Sequence, residues 1–572
     1  MLLVLAMPAF LYAACGGPSP NLVAASHSYS DVNDCVVAST YDDTITVPAG
    51  DGSETWASTL VISKGVRLKG PGSGSLTIYT NASLGISLTP DATSVTNGHV
   101  FEIDGFTFDG GSSDDVAIQL GSAGQTGYPV VNFHDNIIQN YASASGYGSF
   151  RYNGPWKGVV YNNTWTGNAK HCFRHLGDQA AQWNWADFYT YATSDVLFFE
   201  DNTFNASFTV SSGGWSSRAV IRFNQYNIST NLYPLVDEHG NQPSGVCAMM
   251  GYEFYKNTIN ASGGYTARIA MRGGRVMQWG NELTNGTYEP LVWNDDCEDE
   301  PGTCARDGDT QTFFIQDSYH FRNLDDGTLR ATTEGFTGGS YCDSEITENA
   351  QWWNENATFT PGTDTTLATG IGIGTAAQMA IVDTCTEGVG FWVTDEGEWD
   401  STNGATPDGR LYTCNASNTF VLYYTPYTYP HPLQTGDITA PTITSVNTDT
   451  SSGTYTTDDV IDIDVYFSEV VTSDGNVTVT LETGDTDRDC TFTVTAASSG
   501  TCNYTVVDGD ISADLEVKTI AGTIADAASN AMTNFVPTTN LAANKDIVIQ
   551  TDLAPQPPYN FSGGVCIGGT HQ

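Results

Sequence analysis

VNFHDNII (131–138) alternates apolar and polar residues, then sets a polar residue, Asn136 and another apolar residue in a row. The same order returns in VVYNNTW around Asn163, LFFEDNTF around Asn202 and VIRFNQY around Asn224. It returns again in YEFYKNTI around Asn257 and VMQWGNEL around Asn281. The asparagines are spaced by 27, 39, 22, 33 and 24 residues. Stacked repeats use roughly 20–45 residues per unit, and loops of different length account for the spread. A short strand of period two buries one row of side chains. Each asparagine then falls where the chain bends into the next strand, where its short amide tolerates a left-handed backbone. Stacked from rung to rung, those amides form a ladder.

The start of the chain fits the same scheme. Residues 30–39 predict a short helix capped by Ser30, with Val32, Val36 and Val37 turned inward over the open first rung. TITVPAG (44–50), STLVISKGVRLKGPG (58–72) and HVFEIDGFTFDGG (99–111) read as strands broken by Gly and Pro turns. The run from Thr44 to Gly72, with the repeated DNTF-like strands, resembles the pectin-lyase-like right-handed parallel β-helix superfamily over about residues 25–325. The resemblance implies the fold. It does not fix the activity, since the superfamily holds lyases, hydrolases, adhesins and tailspikes.

Residues 371–424 read as an inserted Trp-rich β meander, and TPYTYPHPL (425–433) as an extended segment whose prolines exclude a helix. After residue 436 the texture changes. In VIDIDVYF (460–467) Ile461, Ile463, Val465 and Phe467 alternate with Asp462, Asp464 and Tyr466, as in a half-buried sandwich strand. With APT (440–442), FSE (467–469), DAASN (526–530) and ANK (543–545), residues 437–551 resemble bacterial surface Ig-like domains, which act as spacers or binding modules. The expected organisation is a signal peptide at 1–14, a right-handed β-helix at 15–436, an Ig-like β-sandwich at 437–551 and a Pro/Gly-rich tail at 552–572. The class is all-β.

Composition narrows the partners. Twenty Lys and Arg stand against 65 Asp and Glu, a formal charge of -45. Such a chain cannot neutralise nucleic-acid phosphates and is repelled by anionic membranes. Acidic polysaccharides are repelled too unless a bound cation intervenes, an objection limited by salt, which screens exposed charge beyond ~10 Å at 0.1 M. The apolar run LLVLAMPAFLYAA (2–14) has signal-peptide length and is too short for a transmembrane helix. Twelve cysteines in an exported chain point to an oxidising, extracellular compartment. Three pairs are local: Cys297 with Cys304, Cys385 with Cys414, and Cys490 with Cys502, the last flanking an expected hairpin turn at 497–500.

Three segments concentrate charge where coils ordinarily carry neutral residues. They are AKHCFRHLGDQ (Lys170, His171, Arg174, His175, Asp178), LVDEHGN (Asp237, Glu238, His239) and ARIAMRGGR (Arg268, Arg272, Arg275). A lyase needs a base and a cation or Arg to neutralise a uronate carboxyl. His175 or His239 would serve as the base, and Arg268 or Arg272 as the neutraliser. A hydrolase needs two facing carboxylates. Asp237 and Glu238 are adjacent, so on a strand they point opposite ways, and only one could pair with Asp178. The catalytic candidates are therefore His175, Asp237, His239, Arg268 and Arg272. Lys170, Arg174 and Glu238, with Trp352 and Trp353 as stacking faces, are the carbohydrate-binding candidates. The proline-containing arginine motif of pectate lyases is missing, as are the polygalacturonase acid pairs, so no catalytic residue transfers from a named family. The loop NDDCEDEPGTCARDGD (294–309) offers Asp295, Asp296, Glu298, Asp307 and Asp309 as oxygen ligands on a bent chain, which suits Ca2+. The expected function is a secreted protein that binds, and in the lyase or hydrolase reading cleaves, an extracellular polysaccharide or cell-surface glycan. The competing reading is a non-catalytic adhesin or fibre subunit that self-associates through its Ig-like domain.

Overall fold

A computed structural model describes residues 15–551, except 81–82, 112–115, 122–126, 142–147, 168–170, 178–188, 215, 241–247, 293–314, 336–345, 404–405, 435–440, 496 and 527–530. The chain divides into two compact units, Met1–Gln434 and Thr435–Gln572.

In the first unit the chain runs in a repeating circuit of three short strands. One circuit is Val130–His134, Ile137–Gln139 and Phe150–Asn153; the next is Lys157–Tyr161, Thr164–Thr166 and Phe173–Leu176. Like strands of successive circuits pair in parallel, Phe133 beside Val160 and Ile138 beside Trp165. The result is three long sheets of 13, 11 and 10 strands, here A, B and C, parallel except at the first pair of A and the last pair of B. This is the parallel β-helix that the asparagine repeat predicts. Its interior is a column of stacked side chains. Phe173 lies 4.0 Å from Phe199, and Trp165, Phe204 and Tyr226 follow at 4.9 and 5.0 Å between ring centres.

The asparagine ladder is present at the bend between sheets A and B. Nδ2 of each Asn donates to Oδ1 of the next: Asn136 to Asn163 (3.1 Å), Asn163 to Asn202 (3.1 Å) and Asn202 to Asn224 (3.0 Å). Asn224 continues to Asn257 (3.0 Å), Asn257 to Asn281 (3.0 Å), and Asn281 to a seventh member, Asn323 (2.9 Å). All seven are buried. The left-handed residue is not the asparagine, however. It is the residue before it: Asp135, Asn162, Asp201, Phe223, Lys256, Gly280 and Arg322 all have φ between 52° and 63°. That turn aims the following amide inward, where it also bonds backbone. Nδ2 of Asn224 donates to the carbonyls of Phe199 and Arg222.

The opening helix spans Tyr29–Ala38 and is capped by Ser28, whose side chain accepts from Asp31 N. It turns Val32, Cys35 and Val36 inward, as spacings of three and four residues require. Val37 was expected inside but is 70% exposed. Cys35 bonds Cys15.

Sheet A is covered on its outer face by the end of the unit. Ile371–Gly374, Gly390–Val393, Arg410–Cys414 and Phe420–Tyr424 form a four-stranded sheet. Its first pair is parallel, so only the last three strands meander as expected. Cys385 bonds Cys414. Residues 425–433 contain no helix and run across several rungs. Glu200 and Arg222, both fully buried, fasten them. Arg222 Nε donates to Glu200 Oε1 (2.7 Å), its Nη2 to Thr428 O (2.7 Å), and its Nη1 to Tyr427 O. His431 N donates to Glu200 Oε2 (2.9 Å), and Asn132 Nδ2 to Leu433 O (3.1 Å).

The second unit is built of short β-sheets around one apolar core. Ile461, Ile463, Val465 and Phe467 face that core, and Tyr466 is exposed, as the alternation predicts. Residues 497–500 are not a turn. They belong to strand Ala497–Thr505, and Cys490–Cys502 links it to a strand of another sheet, Arg488–Phe492. No described helix is long and apolar enough to cross a membrane.

Replacing Asn224 by Ala orphans two buried carbonyls and both ladder neighbours, and each orphaned group costs about 1–3 kcal/mol. The urea midpoint should fall by an amount equivalent to about 3–5 kcal/mol. Asn205→Ala, at an exposed asparagine whose side chain bonds only Asn227 among the described residues, should leave it nearly unchanged.

Candidate functional site

Strand parity separates the expected site residues. His175 and Glu238 point into the coil, where both are fully buried. His175 stacks between Tyr152 and Tyr252, 5.6 and 5.8 Å between ring centres. Its Nε2 lies 3.0 Å from Glu238 Oε1, which also accepts from Ser211 Oγ (2.7 Å). The two residues belong to different rungs, and the rung between them carries Gly213 in register with both. A β-carbon at Gly213 would stand 2.1 Å from Glu238 Oε2 and 2.4 Å from His175 Cε1. Glycine is therefore what lets the pair meet. Among the described residues His175 Nδ1 and Glu238 Oε2 find no hydrogen-bond partner, though Oε2 also lies 3.0 Å from His175 Nε2. Neither residue reaches a groove, so neither is placed to touch a polymer.

Asp237, one residue earlier, points outward from sheet C. Arg272 Nη2 donates to its Oδ1 (2.6 Å), and His239 Nε2 lies 3.4 Å from its Oδ2. Burial, then the charge of Arg272, pushes the His239 imidazole down to about 3, so it is neutral at pH 7. Arg174 and His171 act on it in the same direction, which places them nearby. Along sheet C the outward register runs Gln119, Arg151, Arg174, Ser212 and Asp237 on five consecutive strands. Parallel neighbours are ~4.8 Å apart, so this file of polar groups is about 19 Å long. Arg268 is paired with Glu289 at 3.1 Å on the same sheet. The structure thus gathers Arg174, Asp237, His239 and Arg272, and leaves His175 and Glu238 behind the wall.

Trp352 and Trp353 offer no free ring face. Trp352 closes the interior core, and Trp353 stacks on Tyr319 at 5.0 Å. Trp392 and Trp399 are likewise buried. Lys170, Asp178, the carboxylates Asp295, Asp296, Glu298, Asp307 and Asp309, and Cys297 and Cys304 lie outside the described residues.

A second charged cluster was not anticipated. On the outer face of sheet A, Arg67 makes a two-pronged contact with Asp104 (2.9 and 3.2 Å) and reaches Glu102 (3.2 Å). His134 bridges Glu102 (3.0 Å) and Asp135 (2.8 Å) and stacks on Tyr161. The signal was present in the sequence as charge at alternate positions of the strands 67–69, 100–104 and 130–134. Glu102, Asp104 and His134 bring possible ligand atoms within 4.8 Å of one another. The burial of His134 opposes its charge, but Asp135, Glu102 and Asp104 outweigh that and raise it to about 9. A protonated imidazole does not bind metal, and Arg67 already occupies the carboxylates. The cluster reads as a network of ion pairs.

No family model, curated protein or solved structure matches this chain.

Two outcomes follow. Gly213→Ala forces a methyl group into the His175–Glu238 contact and should destabilise the first unit by about 1–3 kcal/mol, read from the thermal or urea midpoint. His134 is raised on folding, so its contribution is fully present below pH ~6.5 and is lost as pH rises through about 9. Thermal stability should decline between pH 7 and 10 in the native chain, and that decline should shrink in His134→Gln.

Proposed function

We propose that the protein is a secreted β-helix protein that binds an acidic extracellular polysaccharide along the outer face of sheet C. The single observation that carries the reading is the outward file Gln119, Arg151, Arg174, Ser212 and Asp237, with His239 and Arg272 beside it. A chain of -45 collects several of its few cations on one sheet, at a spacing that suits an extended polymer. Arg presents a planar fork that matches a uronate carboxylate. Three disulfides agree with an oxidising compartment. We read the coil as right-handed and pectin-lyase-like and the second unit as an Ig-like spacer. The parallel three-sheet circuit and the alternation in 460–467 support these readings.

Cleavage is the more demanding version. Hydrolysis lacks support among the described residues, because Glu238 is sealed inside and Asp237 stands without a second outward carboxylate in reach. β-Elimination is favoured by one observation, a neutral His239 beside Arg272. Arg272 would neutralise the uronate carboxyl, and His239 would take the α-proton. The low proton affinity of His239 makes binding the primary claim.

Calorimetric titration with polygalacturonate, alginate and a neutral mannan tests this. Uronate polymers should bind, with affinity falling as salt rises, and the mannan should not. Arg174→Ala combined with Arg272→Ala should weaken binding at least tenfold while the circular dichroism spectrum is retained. Equal affinity in the double variant, or no uronate binding, would refute the reading. Growth of 235-nm absorbance that disappears in His239→Ala would add elimination to it.

A further inference from the structure

The residues that precede the ladder asparagines form their own column along the bend between sheets A and B. At three successive rungs they are Lys256, Gly280 and Arg322, with φ of 56°, 63° and 54°. Two long cations therefore flank a glycine, their backbones about 10 Å apart at two rung spacings. A cavity of about 430 Å³ lies at Gly280, lined by Lys256, Trp279, Gly280, Arg322, Leu329 and Glu355, among others, and a β-carbon at Gly280 would stand against the Lys256 side chain. That volume is within the usual size range of small-molecule sites, roughly 300–1,000 Å³.

The chemistry of the lining is specific. Neither Lys256 nor Arg322 makes a side-chain ion pair with a described residue. Lys256 Nζ instead lies over the Trp279 ring, 5.8 Å from its centre. Partial desolvation, and then the charge of Arg322, lowers the Lys256 ammonium; Asp400 and Asp408 oppose this. Both cations are exposed, and the charge of Arg322 also acts on the Glu355 carboxylate; two basic residues side by side are a local concentration in a chain with more than three times as many acids as bases. Glu355 sits at the same cavity. Its Oε2 accepts from Arg322 N (2.8 Å), and Oε1 has no hydrogen bond to a described residue. That oxygen can accept from a ligand hydroxyl, and its charge disfavours a second anionic group. Leu324 and Leu329 supply an apolar wall.

We propose that this pocket binds a single hydroxylated ring bearing one carboxylate or sulfate, with the anion between Lys256 and Arg322 and a hydroxyl on Glu355. The site shares no residue with sheet C and stands or falls separately from the reading above.

Calorimetry or saturation-transfer NMR on the full chain with glucuronate, glucose 6-sulfate, glucose and inorganic sulfate tests it. Glucuronate or glucose 6-sulfate should bind at least tenfold more tightly than glucose and than inorganic sulfate. Lys256→Gln and Arg322→Gln should each reduce that affinity at least fivefold. Gly280→Asn keeps a residue suited to the left-handed turn, as Asn162 does at its own rung, and fills the gap; it should abolish binding while the thermal midpoint holds. Arg174→Ala with Arg272→Ala should leave it intact. Affinity no better than that of inorganic sulfate, no binding at all, or binding unchanged in Gly280→Asn would overturn the proposal.

Discussion

Everything in the first unit is indexed by the stacked amides at one bend of the coil. A buried corner leaves backbone carbonyls and N–H groups without partners, and an unpaired one is costly. The asparagine side chain answers with a donor for nearby carbonyls and an acceptor for the preceding rung's N–H. Because each amide bonds its neighbour, a rung cannot slip without breaking two contacts. Register is thereby inherited from rung to rung, and outward residues of distant sequence number fall into straight files.

That inheritance makes parity decisive. Glu238 and Asp237 are one residue apart, yet one is sealed beside His175 and the other meets solvent with Arg272. The same rule turns Lys256 and Arg322 outward around Gly280. A buried His–Glu pair inside an otherwise aromatic stack is costly to assemble. Its survival depends on Gly213, the one side chain whose absence makes room for it.

Much of this was legible beforehand. The repeat, the ladder and the strand alternation in 460–467 follow from period and spacing alone. That Asp237 and Glu238 face opposite ways also follows from period two, though not which of them is outward. What the sequence concealed depends on contacts between rungs. His175 occupies an inward position, but reading that requires knowing which residue of AKHCFRHLGDQ begins the strand. Trp353 looks like an exposed stacking face until the sheet of residues 371–424 is folded against sheet A, and Trp352 until strand parity turns it into the coil. The Glu200–Arg222 pair joins to carbonyls some 200 positions later, beyond any local pattern. The left-handed turn fell one residue early because several turn residues, among them Phe223 and Arg322, have no intrinsic preference for it.

The buried Glu200–Arg222 pair has a mechanical consequence. It grips residues 427–431, just ahead of the junction with the second unit. Tension applied from that side therefore does not reach the terminal rung first, where strands could be peeled off singly. It enters partway along the rod, at Arg222 and Asn132, and loads many backbone bonds together. A coil anchored in this way resists pulling as a lap joint does, and its last turns are spared the strain.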